Sequence, residues 1–170
     1  NYFKQALHGF GKVIATDTQY NAPALADADI AVEVPSVTDP NYIKVLLQIC
    51  SEYGVDAVLS LNDLELPIIA AHKASFAENG VTVIVSDPAI IDTCFDKWKT
   101  HLFLQKLGVK TPKTYLTKED ALKGLQQVEL SFPMIIKPRW GRASIGIEVV
   151  ETKEELELAQ QLLSIRLKRS

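Results

Sequence analysis

Lys137 ends an apolar run, Met134-Ile135-Ile136, and is followed by Pro138-Arg139-Trp140-Gly141-Arg142-Ala143-Ser144-Ile145-Gly146. The order joins a strand-end ammonium to a loop carrying glycines, arginines and a serine. Glycines let backbone N–H groups approach an anion closely, and guanidinium groups add charge-assisted donors. The chemistry open to such a set is to close over a polyphosphate. The same residues also read as a hairpin loop with solvated charges, and residue types alone weigh the two readings equally. Arg139 and Arg142 share that ambiguity. Trp140 either packs the base of the loop or stands exposed in it.

Other candidates are weaker. Gly141 and Gly146 have the G-x-x-x-x-G spacing of a P-loop, but Ile147-Glu148 stands where Lys-Ser/Thr is required, and a strand follows instead of a helix. Gly9-Phe10-Gly11 precedes a strand, so it is no dinucleotide fingerprint. Asn62-Asp63-Leu64-Glu65 suits a helix start, where Asn or Asp caps and Glu sits in the first turn; capping is favoured over a substrate-facing role. Asp17 either meets a ligand or simply ends its strand. His8, His72 and His101 show no metal-ligand spacing and read as structural or solvated. Cys-x-x-Cys, His-Glu-x-x-His and Gly-x-Ser-x-Gly are all lacking from the sequence, so zinc and acyl-serine chemistry have no support.

The elements that must position these residues alternate. Strands are expected at 12–16, 30–34, 55–61 and 81–85, the last buried on both faces of a parallel sheet. A helix opens at Asp39-Pro40, presents Ile43, Leu46, Leu47, Cys50 and Tyr53 on one face, and stops at Gly54. Another runs from Glu65 or Pro67 to Glu78. This βαβα order predicts a doubly wound open sheet of parallel strands, with ligands beyond the strands' carboxyl ends. The helical pattern of Tyr2, Phe3, Ala6 and Leu7 precedes the first strand, so the α/β reading expects a further strand ahead of it and treats the sequence as a piece of a longer protein. From residue 90 the pattern changes. Residues 96–107 form an amphipathic helix with Trp98, Leu102, Phe103 and Leu107 on or near one face, and an extended connector follows. A second α+β unit has a helix opened by Thr117, a strand at 132–137, a hairpin partner at 147–150 and a last helix opened by a Thr152–Glu155 capping box.

Composition narrows the classes. Of 170 residues, 47% are apolar, which supports a packed core. A net charge of −3 gives no support for nucleic-acid or anionic-membrane binding. No apolar run approaches the roughly 20 residues of a membrane span, and no signal-peptide pattern is visible. Cys50 and Cys94, the only cysteines, lie in apolar helix-like stretches and read as buried free thiols of a reducing compartment, which points to the cytoplasm.

Taken in order, Asp96-Lys97, Leu107-Gly108-Val109-Lys110-Thr111-Pro112, Phe132-Pro133-Met134-Ile135-Ile136-Lys137-Pro138 and the Gly/Ser loop resemble the ATP-grasp superfamily. The spacing is similar to the carbamoyl-phosphate-synthase large-subunit-like branch, related to biotin carboxylase, and Asn62-Asp63-Leu64-Glu65-Leu66 resembles an acidic turn of its N-terminal domain. The resemblance implies a Rossmann-like pre-ATP-grasp domain over 1–90, a linker helix and connector over 91–113, and a truncated first ATP-grasp lobe over 114–170. It implies ATP as cofactor, with Lys97 at the phosphates, Lys137 at the α-phosphate and adenine edge, and Gly141, Ser144 and Gly146 over the β- and γ-phosphates. Arg142 is counted with that set. The loop is richer in Arg and poorer in Gly than in biotin carboxylase. Mg²⁺ is implied too, held by residues beyond this sequence, so no metal ligand and no catalytic residue is assigned within it. The implied activity is an ATP-dependent carboxylate–amine ligase working through an acyl phosphate on a small carboxylate, with homo-oligomer formation left open. The competing reading is a non-catalytic nucleotide-binding or scaffold module. A flavin-binding flavodoxin-like domain is disfavoured, since no phosphate loop follows the first strand.

Overall fold

The computed structural model describes residues 2–141 and 144–168. The chain splits into two compact units, residues 1–88 and 89–170.

In the first unit the elements run α1 (Tyr2–Leu7), β1 (Ile14–Asp17), α2 (Pro23–Asp27), β2 (Ile30–Glu33), α3 (Tyr42–Tyr53), β3 (Ala57–Leu59), α4 (Leu66–Ala71), α5 (Lys73–Glu78) and β4 (Thr82–Ile84). β1 pairs in parallel with β2, Ile14 opposite Ile30, and β3 in parallel with β4, Leu59 opposite Ile84. Both pairs use the helical crossovers that parallel strands need. Among the described strands the two pairs remain separate two-stranded ladders.

The core gathers Val34 after β2, Tyr42, Leu46, Ile49 and Cys50 of α3, Ile69 of α4, Phe76 of α5 and Val81 before β4. Phe76 is 0% exposed and Ile69 1%, each contributing about 1.5–3 kcal/mol by leaving water. α3 starts at Tyr42, later than the Asp39-Pro40 signal. Asp39 instead accepts the Asn41 N–H at 2.7 Å and forms the turn before the helix. The buried face rotates accordingly, toward Tyr42 and Ile49, while Tyr53 is exposed. Gly54 ends the helix at φ 61°, where a Cβ would be strained. The single helix expected over 65–78 is two, divided at His72. β4 is not covered on both faces: Ile84 and its neighbour Leu59 are both exposed. α1 buries no residue and is tied down by charge, with Lys4 2.8 Å from Asp29.

The second unit comprises α6 (Pro88–Phe95), α7 (Lys97–Lys106), α8 (Lys118–Gln126), β5 (Met134–Ile136), β6 (Glu148–Val150) and α9 (Lys153–Leu167). β5 and β6 are antiparallel, Ile136 opposite Glu148, and α9 packs on the hairpin through Leu156. Thr117 and Thr152 cap α8 and α9 by accepting the Asp120 and Glu155 N–H groups at 3.1 Å. Leu102 and Phe103 of α7 and Leu107 just after it, part of the face expected to be apolar and packed, are exposed. His101 is buried in their place, stacked on Trp98 at 5.3 Å and bonded through Nδ1 to Thr111 Oγ1 at 3.2 Å. Cys50 is buried and burial pushes its thiol pKa up, but Cys94 is exposed, against the expectation of two buried thiols; both are free.

Candidate functional site

Asp96 lies between α6 and α7 with extended backbone, the geometry of an N-cap. Its Oδ1 accepts the Trp98 N–H at 2.9 Å and the Lys99 N–H at 3.3 Å. The same carboxylate takes a fork from Arg139, with Nε 2.9 Å from both oxygens and Nη2 2.6 Å from Oδ2. The Asp96 side chain is 2% exposed, so the pair is largely dry on the carboxylate side. The Arg139 guanidinium next to it holds the Asp96 pKa down to about 2, against the opposing effect of burial. Arg139 also lies over the Trp140 ring, 4.6 Å from its centroid. Trp140 itself is exposed, which resolves the two placements left open for it.

This pair joins the residues on either side of it. The Lys97 N–H donates to the Arg139 carbonyl at 3.2 Å, and the Lys97 ammonium donates to the Gly141 carbonyl at 3.0 Å. Lys137 leaves the end of β5 and is exposed. Burial lowers the Lys97 pKa first, the positive charge of Lys137 adds to that, and Asp96 opposes it. The two ammonium groups are therefore near enough to repel each other. Among the described residues neither forms an ion pair with a carboxylate. Among the described residues the two ammonium groups thus lack an ion-pair partner, a condition that favours drawing in an anion.

The loop after Lys137 turns through positive φ at Gly141 (134°), Ser144 (58°) and Gly146 (74°). A side chain at Gly146 would come within 3.1 Å of both Leu163 and Pro138, so the loop's return is packed tightly on α9. Lys97, Lys137 and Gly141 are thus brought together, and Ser144 and Gly146 lie further along the same loop. Arg142 lies outside the described residues. Sequence reasoning missed the Asp96–Arg139 pair. An aspartate directly ahead of a helix was a visible cap signal, but nothing local marked its arginine partner.

The other candidates go elsewhere. Asp17 Oδ1 accepts the Gln19 N–H at 3.0 Å, a turn that ends β1. The acidic turn does not cap α4 through a side chain. Asn62 Oδ1 accepts the Leu64 N–H at 3.2 Å, and the Glu65 carboxylate accepts from the Ser60 hydroxyl, with burial raising the Glu65 pKa. His72 bonds through Nδ1 to the Ile68 carbonyl. Among the described residues no group of three or more His, Cys, Asp or Glu could hold a metal ion.

Residues 1–84 match the family described as PylC-like, N-terminal domain, and residues 94–169 match the RimK-like ATP-grasp domain. The chain is 31% identical over 149 residues to the formate-dependent phosphoribosylglycinamide formyltransferase of Trichormus variabilis, covering 86% of this chain and 36% of that protein. It is 27% identical over 113 residues to carbamoyl-phosphate synthase of Methanobrevibacter smithii, covering 65% of this chain and 30% of that protein. The chain therefore spans about a third of the length of these relatives. In fold it is similar to the biotin carboxylase domain of Hydrogenobacter thermophilus 2-oxoglutarate carboxylase, solved with magnesium ADP, ADP and bicarbonate. There the TM-score is 0.66 and the identity 21%, over 94% of this chain and 36% of that one. The two family matches fall in this order along almost the whole chain, and Asp96, Lys97 and Lys137 all lie within the second, so the part of the chain that carries them is similar to the ATP-grasp domain.

Proposed function

We propose that this chain is the N-terminal part of an ATP-dependent carboxylate–amine ligase, with residues 1–90 as pre-ATP-grasp domain, 91–113 as linker and 114–170 as the start of the ATP-grasp lobe. The observation that carries the reading is the convergence of Lys97 and Lys137, uncompensated by carboxylates among the described residues, on a loop that turns through Gly141. The donor chemistry fits a triphosphate. Lys97 is already aimed at an oxygen acceptor, Lys137 projects from a fixed strand end, and the glycine loop brings main chain close. In this reading Lys97, Lys137, Gly141, Arg142, Ser144 and Gly146 bind ATP.

Phosphoryl transfer asks a protein chiefly for positioning and charge neutralisation. The two lysines would neutralise phosphate charge and hold the chain of phosphates in line for a substrate carboxylate, giving an acyl phosphate that an amine then displaces. Mg²⁺ would add charge compensation; in this reading it would be held by residues outside this chain, since no cluster of ligands for it is found among the described residues. Residues 1–170 by themselves are expected not to turn over ATP. The free thiols support a cytoplasmic setting, and no helix among the described residues is long and apolar enough to cross a membrane.

The test is calorimetry of ATP with Mg²⁺ on the full-length protein, wild type against Lys97→Ala and Lys137→Ala. Each variant should weaken ATP by roughly tenfold or more, the scale of one lost charge-assisted bond. Unchanged affinity in both would end the site assignment. Binding by the wild type with no turnover of any carboxylate–amine pair would favour the non-catalytic module.

A further inference from the structure

Asp96 and Arg139 are not themselves among the positions assigned to nucleotide, yet each sits beside residues that are. Asp96 immediately precedes Lys97. Arg139 lies two residues after Lys137 and two before Gly141. We propose that the Asp96–Arg139 pair is a positioning clamp that fixes the start of α7 to the strand-to-loop turn after β5, and so determines how strongly the site prefers polyphosphate to monophosphate. This inference rests on the nucleotide reading above.

Three features of the geometry support it. First, the contact is a fork, with Nε and Nη2 both engaged, so it fixes orientation as well as distance. A lysine has no such planar pair of donors. Second, the clamp is braced from both sides. The N-cap bonds hold the carboxylate to α7, and the Trp140 ring covers the guanidinium. Beside it, the Lys97 N–H reaches the Arg139 carbonyl. Third, Arg139 occupies the carboxylate next to Lys97. That leaves the Lys97 ammonium on a neutral carbonyl, Gly141 O, which a phosphate oxygen can replace without breaking an ion pair.

The clamp bears on Lys97, assigned to the phosphates, and on Gly141, assigned to the β- and γ-phosphates. Lys137 is carried by β5, whose ladder with β6 does not depend on Arg139. Loss of the fork should therefore weaken ligands with a phosphate chain and spare those with a single phosphate.

The experiment titrates ATP, ADP and AMP into the full-length protein as wild type, Arg139→Lys and Asp96→Asn. Arg139→Lys keeps the charge and loses the fork; Asp96→Asn keeps a cap acceptor and loses the charge, so it serves if the first variant folds poorly, as thermal melts will report. ATP and ADP should weaken by roughly tenfold, about one charge-assisted bond's worth, while AMP stays within about twofold. A folded variant whose ATP-to-AMP preference equals that of the wild type overturns the clamp. So does equal weakening of all three ligands, the mark of a general structural role. If the wild type binds ATP and Lys137→Ala weakens it, such a result removes the clamp alone. A wild type that binds no nucleotide removes both readings.

Discussion

The Lys97 ammonium donates to the Gly141 carbonyl at 3.0 Å, across 44 positions of sequence. A helix-start lysine is thereby held against the glycine turn it is proposed to share phosphate with. Its pKa lies below the ordinary lysine value because of burial and the charge of Lys137. An ammonium with a lowered pKa loses its proton earlier as pH rises. ATP affinity should therefore start to fall at a pH below the usual lysine range. Lys137→Ala removes the repelling charge, so in that variant the alkaline fall should move to higher pH although overall affinity is lower. Calorimetric titrations at a series of alkaline pH values check both shifts. An alkaline limb that Lys137→Ala leaves in place would contradict the coupling.

Asp96 predicts an acid effect of opposite sense. Its carboxyl pKa is lowered from 3.8 to about 2. A depressed carboxyl contributes stability that is fully present above 3.8 and is lost as pH falls through the folded-state value near 2. Asp96→Asn should thus melt lower than wild type at neutral pH, by roughly 5 °C on the scale of a domain this size. The gap should narrow between pH 3.8 and 2. Melts at pH 7, 4, 3 and 2 give the test; a gap that does not change down to pH 2 would show that the charge is irrelevant.

How far the sequence revealed this arrangement depended on how local each signal was. The hairpin, the strand-end Lys137, the threonine caps of α8 and α9 and the left-handed stop at Gly54 are encoded within a few residues, and pattern reading finds them. The Asp96–Arg139 fork spans 43 positions, so Arg139 stayed indistinguishable from a solvated loop arginine. The inner face of α7 misled for another reason. A hydropathy pattern ranks Leu102 and Phe103 as the inner face of α7, and cannot know that Trp98 and Thr111 will give a histidine a stacking partner and a hydrogen bond inside. The β-branched run at β4 announces a strand, yet which faces are covered depends on what packs against it.

Glu65 offers a change that should stabilise. Its carboxyl pKa is raised above 4.5 by burial while its carboxylate accepts from Ser60. A raised pKa means that the group's contribution is fully favourable below the unfolded value of 4.5 and is lost as pH climbs through the folded value. At neutral pH the buried charge is a liability. Glu65→Gln keeps an acceptor for Ser60 and removes the charge, so it should raise Tm at pH 7 by roughly 2–4 °C. At pH 4 the two proteins should melt together. A lower Tm at pH 7 would mean that the ionised carboxylate is itself needed in the turn.

Gly141 and Gly146 are both in the left-handed half of φ, at 134° and 74°, but their surroundings differ. At Gly141 the nearest atom to an added Cβ is Pro138 Cβ at 3.9 Å, an ordinary contact. At Gly146 the added carbon would meet Leu163 Cδ1 and Pro138 Cγ at 3.1 Å each. Pro138 is buried and ring-locked, so it has little room to yield. Gly141→Ala should therefore cost only the backbone strain, about 1–2 kcal/mol. Gly146→Ala adds crowding against α9, for about 2–4 kcal/mol in all. Urea melts of the two variants separate these costs. Because Gly141 is the residue whose carbonyl faces Lys97, its alanine variant should nonetheless lose more ATP affinity per unit of stability lost. Equal ratios in the two variants would mean that the loop responds as one body, without a distinct role for the Lys97 contact.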